Sequence, residues 1–594
     1  MSESSSADLR HLSRAERLWR RGDFWFAAAL YSVLAVAVTW PMVLEPRSGL
    51  VGHPGNDSWN HAWGFWWVAF EVLELGNWPD WTDLQAFPRG GALFFIDTFN
   101  ALVALPFTAL FGPAFGYNAL VLGGMLVSCL AAWALAKHIV RDGAAALVAG
   151  AIYGLSAHLL AQTYNGITET INAGWFALAI LSVVRLLERP SLRRGLIAGL
   201  AYTVCGIANS YYGLFALLAT TVLVAHRLFR ASYPTDWRTA LRAGALGAVP
   251  FVPLVAGALW LLARSLGAED ALVGRDPDFV WRSLLDHNMT DLQCFFRPGQ
   301  FYSPDLKALY GEELIIVTYL GWSAILLSVW AWFSSPNRRV LAPWIWIVFV
   351  FGVFALGPYL YVFGEYVEVG GSRVPLPFLL FFKAFPLFSR ISHPFRFIVG
   401  VELGLAVMAA YGVHRLIRQH GRRFGYGIGG LLAVLVVAET WYISPTQLPL
   451  PTSPAMVPTA IESLGTDITD GAVLDLPITV PNLERGVFAW YQTIHKRPSP
   501  YALNEPMPGV LSANRLAQVL AQIEAGRSRV LPHRIPDLDL VAWARVLDRL
   551  GYRYIVVHER YYTPPKLAQT ETLLSSLYGE PARGDGLSIY EVTK

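Results

Sequence analysis

Long apolar runs separated by short polar turns fill the first three quarters of the chain. Phe24 to Trp40, Leu314 to Trp332 and Val340 to Phe363 each approach the roughly 20 apolar residues that a helix needs to cross hydrocarbon. Counting such runs and grouping the basic loops on one side predicts about eleven spans within residues 24–444. Tyr117 to Ile139 and Ala144 to Ala161 are two of them. Asn100 to Gly112 is shorter and predicts an interfacial or half-membrane helix. The basic loops at Lys137/Arg141, Glu188–Arg194, Arg227–Arg242, Arg338/Arg339 and Arg415–Arg423 all fall on the side of the N-terminal tail, residues 1–23. The positive-inside tendency makes that side cytoplasmic. A long first outer loop, 46–97, then follows the first span and contains an aromatic stretch, Trp59 to Phe70, that reads as amphipathic.

After Tyr442 the pattern changes. Ala472 to Pro477 and Tyr552 to His558 are short, apolar and β-branched, so they predict strands. Ala513 to Ala525 and Leu540 to Leu550 carry helical spacing. The expected architecture is an α-helical polytopic membrane protein with an extracytoplasmic α/β domain over 445–594. No internal repeat supports an inverted-repeat transporter.

Composition sharpens this reading. The 594 residues are 54% hydrophobic and 15% charged, with mean hydropathy +0.41; soluble domains carry about 25% charged residues. The 22 Trp and 25 Tyr suit two membrane interfaces. A net charge of +3 without basic blocks argues against nucleic acid. Cys129, Cys205 and Cys294 lack metal or disulfide spacing. The first run ends Thr-Trp-Pro rather than in a cleavage site, so the first helix is expected to stay uncleaved.

Candidate chemistry concentrates on the outer side. Asp57 stands in a Gly/Pro-rich turn at membrane level, where a carboxylate is costly unless used or paired. It reads as a base or a cation ligand, or as the N-cap of the Trp59 helix. Glu169, in the outer loop 164–170, is the second catalytic candidate. Asn56 and His61 beside Asp57, Asp97 at the loop's end, and Tyr211 and Tyr212 are substrate-binding candidates. Lys383, Arg390, His393 and Arg396 form a cationic segment on the side where the positive-inside rule disfavours it. A phosphate group would account for it. The acids Glu312 and Glu313 are weaker candidates. No zinc, Walker or serine-hydrolase signature occurs.

These residues resemble the GT-C superfamily of integral-membrane glycosyltransferases: a cytoplasmic N-terminus, a long first outer loop with an acid after helix one, and a second acid one or two outer loops later. The Pro394–Phe397 and Leu474–Pro477 segments are also similar to a set of bacterial multi-pass proteins. The resemblance implies sugar transfer from a polyprenyl-phosphate-type donor to a glycan, lipid or protein acceptor on the outer face of a bacterial inner membrane. It implies that Asp57 and Glu169 are the catalytic acids and that Arg390 and Arg396 hold the donor phosphate. A divalent cation, magnesium or manganese, at Asp57 and Glu169 stays open. The alternatives are a glycolipid transporter, for which Glu402 inside the tenth span would be the buried ionisable group, and a non-catalytic envelope scaffold.

Overall fold

The computed structural model describes residues 14–229, 235–272, 277–286, 288–298, 314–335, 338–385, 388–466, 470–481, 484–503, 509–527 and 539–592. Glu312 and Glu313 lie outside them. Among the described residues seven helices are long and apolar enough to cross a membrane: 113–140, 146–164, 168–188, 210–229, 237–265, 394–420 and 425–443. Four shorter apolar helices, 22–38, 98–111, 322–334 and 342–355, accompany them.

Helix boundaries follow local chemistry. Gly112, at φ +93°, separates helix Thr98–Phe111 from helix Pro113–Val140, which has proline in its first turn. Lys137 and His138 lie in the last turn of the latter, complementing the helix dipole. At 14 residues, helix Thr98–Phe111 rises about 21 Å, short of the ~30 Å of hydrocarbon.

Helices approach closely where side chains vanish. A Cβ on Gly195 would lie 1.9 Å from the Ala243 carbonyl oxygen, and one on Gly247 2.1 Å from the Gly195 carbonyl carbon. Helices Leu192–Ala208 and Trp237–Ala248 therefore touch backbone to backbone.

Three runs differ from their predicted form. Leu314 to Trp332 is not one helix: residues 314–320 are irregular and mostly buried, and helix Trp322–Ser334 starts after Gly321 at φ +80°. The non-helical backbone is held by side chains of the bundle. Asn165 exchanges two hydrogen bonds with Ile315, at 2.8 Å each, and His158 Nδ1 bonds the Val317 carbonyl at 3.0 Å. The Glu439 carboxylate accepts from the Trp322 and Ser323 amides, which satisfies the helix start. Residues 314–320 are apolar because they pass through the protein interior. Hydrophobicity alone does not distinguish that from a span.

Val340 to Phe363 likewise shortens to helix Ala342–Ala355 followed by a small hairpin. The Trp59 stretch is not amphipathic: every residue of helix Ser58–Ala69 is buried.

One end of the bundle gathers charge from the loops expected to be cytoplasmic. Lys137 pairs with Asp23 at 2.8 Å, His138 with Glu188 at 2.9 Å and His414 with Asp142 at 2.7 Å. The other end joins the first loop to the tail. Strand Gly49–Val51 pairs antiparallel with Thr452–Pro454. Helix Ser58–Ala69 packs on tail helix Gly486–His495, and Trp63 Nε1 donates to Gln492 Oε1 at 2.8 Å.

The tail holds a four-stranded sheet in the order Ala582–Gly584, Leu587–Glu591, Tyr552–His558, Ala472–Leu476. The last pair is parallel and the others antiparallel. Helices Arg515–Glu524 and Leu540–Arg549 occupy the two segments with helical spacing.

Candidate active site

The turn at residues 53–57 is tied to the end of helix Ala157–Tyr164. His53 N donates to the Tyr164 carbonyl at 2.8 Å, and Asp57 N to the Asn165 carbonyl at 3.0 Å. Gly166, at φ +76°, lies so close that a Cβ there would sit 2.4 Å from Ser58 N. The first loop and the 164–170 loop are thereby locked together, which brings their acids into one neighbourhood.

His61, one turn into helix Ser58–Ala69, is the hub. Its Nδ1 lies 2.8 Å from Thr168 Oγ1, and Thr168 in turn donates to Asp97 Oδ2. With the threonine hydroxyl spent on Asp97, His61 Nδ1 is the donor of its own bond. Asn100, one turn along from Asp97, donates to the other Asp97 oxygen. His61 Nε2 faces Glu169 Oε2 at 3.7 Å, beyond hydrogen-bond reach, and Nδ1 lies 3.6 Å from Asp97.

Burial alone would lower the His61 pKa. The Asp97 hydrogen bond and the charges of Glu169, Asp97 and Asp57 outweigh it and raise the pKa to about 9. The imidazole is therefore a cation at neutral pH.

On the far side of Glu169 stands Arg396, whose Nη2 is 3.4 Å from Oε1. Both side chains are more than nine-tenths buried. Arg396 also lies over the Tyr211 ring at 5.1 Å. Among the described residues neither Arg396 Nε nor Glu169 Oε2 has a hydrogen-bond partner. Asn209 Nδ2 donates to the Glu169 carbonyl at 2.9 Å, while its Oδ1 accepts from Tyr211 N at 2.9 Å. The Tyr212 hydroxyl donates to the Thr170 carbonyl. Glu169 is thus fixed by both backbone and side-chain partners.

Asp57 occupies the N-cap position of its helix, but its side chain caps no amide; it accepts instead from Asn60 Nδ2 at 3.2 Å. Asp57 is half-buried. Asn56 is buried, with Nδ2 3.4 Å from Asn165 Oδ1.

The structure thus brings together His61, Asp97, Glu169, Arg396 and Tyr211, with Asp57 one turn away. Lys383 and Arg390 are exposed and, among the described residues, pair with neither Asp97 nor Glu169; His393 Nδ1 bonds Ser392 Oγ at 2.7 Å. Of the cationic segment, only Arg396 reaches Glu169. Asn209 opens the polar and aromatic segment that continues to Tyr211 and Tyr212, whereas Thr168 and Asn100 are no binding candidates in the sequence. Asn100 stands three residues after Asp97 on one helix, a spacing that could have shown it.

Among the described residues no three His, Cys, Asp or Glu side chains form a metal-holding group, and both Glu169 oxygens already face a cation.

The helical bundle that carries this buried cluster shares its fold with a solved membrane protein. The arabinofuranosyltransferase AftD from Mycobacteria superposes with TM-score 0.54 at 13% identity, over 96% of this chain and 40% of that one. The chain thus spans less than half the length of AftD. The oligosaccharyltransferase AglB from Archaeoglobus fulgidus, solved with an inhibitory peptide and a dolichol-phosphate, gives TM-score 0.48 at 12% identity over 95% and 71% of the two chains. ArnT from Cupriavidus metallidurans, bound to undecaprenyl phosphate, gives 0.48 at 15% over 95% and 98%. No family model and no curated protein matches the chain.

Proposed function

We propose that the protein is a membrane glycosyltransferase that moves a sugar from a polyprenyl-phosphate-type lipid donor to an acceptor. The reaction would take place on the outer face of a bacterial inner membrane, with the N-terminus cytoplasmic and the tail outside. The observation that carries this is the buried alternation of charge Asp97–His61–Glu169–Arg396 between the first loop and the bundle, in a fold shared with AftD.

Two cations held by carboxylates at the membrane face suit a lipid phosphate. Arg396 keeps an unused Nε–H, and a guanidinium matches phosphate oxygens. In the transfer, the acceptor oxygen bonds to the anomeric carbon as the bond from that carbon to the phosphate oxygen breaks. The electron pair leaves on the phosphate, where Arg396 and protonated His61 offset the growing charge. The proton of the acceptor hydroxyl goes to Asp57, the acid of the group that keeps solvent exposure. Glu169 acts as a positioning residue that orients both cations, and Asp97 fixes the His61 ring through Thr168.

The test compares envelope glycans and lipid-linked sugars in a deletion strain complemented with wild type or with Asp57→Asn at equal expression. Loss of the glycan with accumulation of a lipid-linked sugar is the expected result. Full rescue by Asn would remove Asp57 as the base.

A glycolipid transporter is the second reading, supported by Glu402. It is buried in helix Ile398–His420, and neither of its carboxylate oxygens has a hydrogen-bond partner among the described residues. Rescue by Asp57→Asn together with failure of Glu402→Gln would favour it.

A further inference from the structure

Helix Ser58–Ala69, with Asp57 at its N-cap, is clamped by the tail. Trp63 donates to Gln492, and the Gln492 amide donates in turn to the Leu84 and Arg497 carbonyls at 2.6 and 2.7 Å. Residues 84–87 run along residues 499–501. Ser499 N donates to the Leu84 carbonyl at 2.9 Å, Phe87 N to the Ser499 carbonyl at 3.0 Å and Ala86 N to the Tyr501 carbonyl at 3.3 Å. The space left between helix Ser58–Ala69 and tail helix Gly486–His495 is about one water in size. In so close a packing a displacement of the tail helix passes directly to the first-loop helix.

Asn60 is the side chain on which the two helices meet. It is buried in the first turn of its own helix, and its Nδ2 donates to Asp57 Oδ1 at 3.2 Å. A carboxylate only accepts, so the amide is turned with its nitrogen toward Asp57 and its oxygen toward the tail. That oxygen lies against Gly486, the first residue of helix Gly486–His495, at the positive end of the helix dipole. A Cβ on Gly486 would sit 2.8 Å from Asn60 Oδ1 and 3.2 Å from its Cγ. Gly486 is not among the residues of positive φ, so close approach is what the position requires of glycine.

We propose that Asn60 is a positioning residue for Asp57 and that the tail sets it. The docked start of helix Gly486–His495 holds the Asn60 amide, and the amide holds the Asp57 carboxylate. The proposal rests on the transferase reading for the role of Asp57 as base. A donated hydrogen bond favours the ionised carboxylate, the form that can take a proton from an acceptor hydroxyl. The Asp57 charge also reaches His61 on its own helix and Tyr117 on helix Pro113–Val140. The base is therefore complete only in a chain whose tail has folded onto the first loop.

The test reads Asp57 itself. The full-length protein in detergent is treated between pH 5 and 8 with a water-soluble carbodiimide and a glycine ester, which modify carboxyl groups in their protonated form. Modification of Asp57 is followed by peptide mass spectrometry, with exposed Glu580 as the internal reference. Near neutral pH, Asn60→Ala and Gly486→Ala should each speed Asp57 modification about tenfold, the effect of losing one hydrogen bond to a charged group. Gly486→Ala removes no hydrogen-bonding group and raises helix propensity, so a weakened tail helix does not account for its effect. Asn60→Ala makes room for the new methyl group, so adding Gly486→Ala to it should change nothing further. Equal rates in wild type and both single variants, or effects that multiply in the double variant, would overturn the proposal. The glycan test of Asp57→Asn decides the base separately. Full rescue by Asn with the coupling intact leaves Asn60 holding Asp57 but removes the catalytic role. Loss of transfer in Asp57→Asn with unchanged modification rates keeps the base and removes Asn60.

Discussion

The charge on His61 can be titrated directly. Its pKa rises from 6.5 to about 9, against the opposing effect of burial. A shift of that size corresponds to about 3 kcal/mol at roughly 1.4 kcal/mol per unit. A unit charge about 4 Å away contributes about 4 kcal/mol at an effective dielectric of 20. Asp97 at 3.6 Å and Glu169 at 3.7 Å can therefore supply the shift with burial working against them.

The imidazole is protonated more readily in the folded state than in the unfolded one. Its stabilisation is thus fully present below about pH 6.5 and is lost as pH rises through about 9. The perturbation is His61→Gln, which removes the titration. The assay is denaturant or thermal unfolding of both proteins in one detergent from pH 6 to 10. The difference between wild type and variant should be constant below pH 6.5 and shrink by about 3 kcal/mol by pH 9. Asp97→Asn should move the upper limit of that window down by about 1–3 units. A difference that does not change between pH 6.5 and 9 would refute the cationic His61.

Glu169→Gln leaves Arg396 buried beside a neutral amide, so unfolding stability should fall by about 3–5 kcal/mol. A double-mutant cycle with Arg396→Met should show coupling of up to about 3 kcal/mol, and additive losses would mean the pair does not interact. Asp57→Asn removes no cap bond, so its unfolding midpoint should move by under about 1 kcal/mol while transfer is lost in a glycan assay. Gly195→Leu places side-chain atoms where the Ala243 carbonyl lies and should cost about 1–3 kcal/mol or more in the same unfolding assay. Adding EDTA should leave transfer unchanged, since both Glu169 oxygens already face cations; restoration by magnesium after loss would contradict that.

The membrane class was legible because it is a bulk property of the chain, and the tail strands because β-branched runs punctuated by turns have few other forms. Residues 314–320 were misread because burial inside a bundle and burial in lipid select the same side chains. Helix Ser58–Ala69 was misread for a related reason: its polar positions, His61 and Asn60, face partners in the protein rather than water.

Asp57, Asp97 and Glu169 could be singled out one at a time, as acids in costly places. Their convergence could not, since Asp97 meets His61 through Thr168, 71 positions away. Arg396 was distinguishable from Lys383 and Arg390 only by depth, and depth depends on the packing of Phe395 and Phe397, both buried on either side of it.

The pairing of strand Gly49–Val51 with Thr452–Pro454 also imposes an order on assembly. Some 400 residues separate the partners, which at ribosomal rates of 5–20 residues per second is about 20–80 s of synthesis. For most of that interval the first-loop helix exists without its tail partner, and Glu169 is made well before Arg396. The cover over the first-loop helix and the charge alternation are therefore completed late in synthesis, as the closing helices and the tail arrive. A chain stalled before Arg396 has every acid of the cluster but neither its arginine nor its cover.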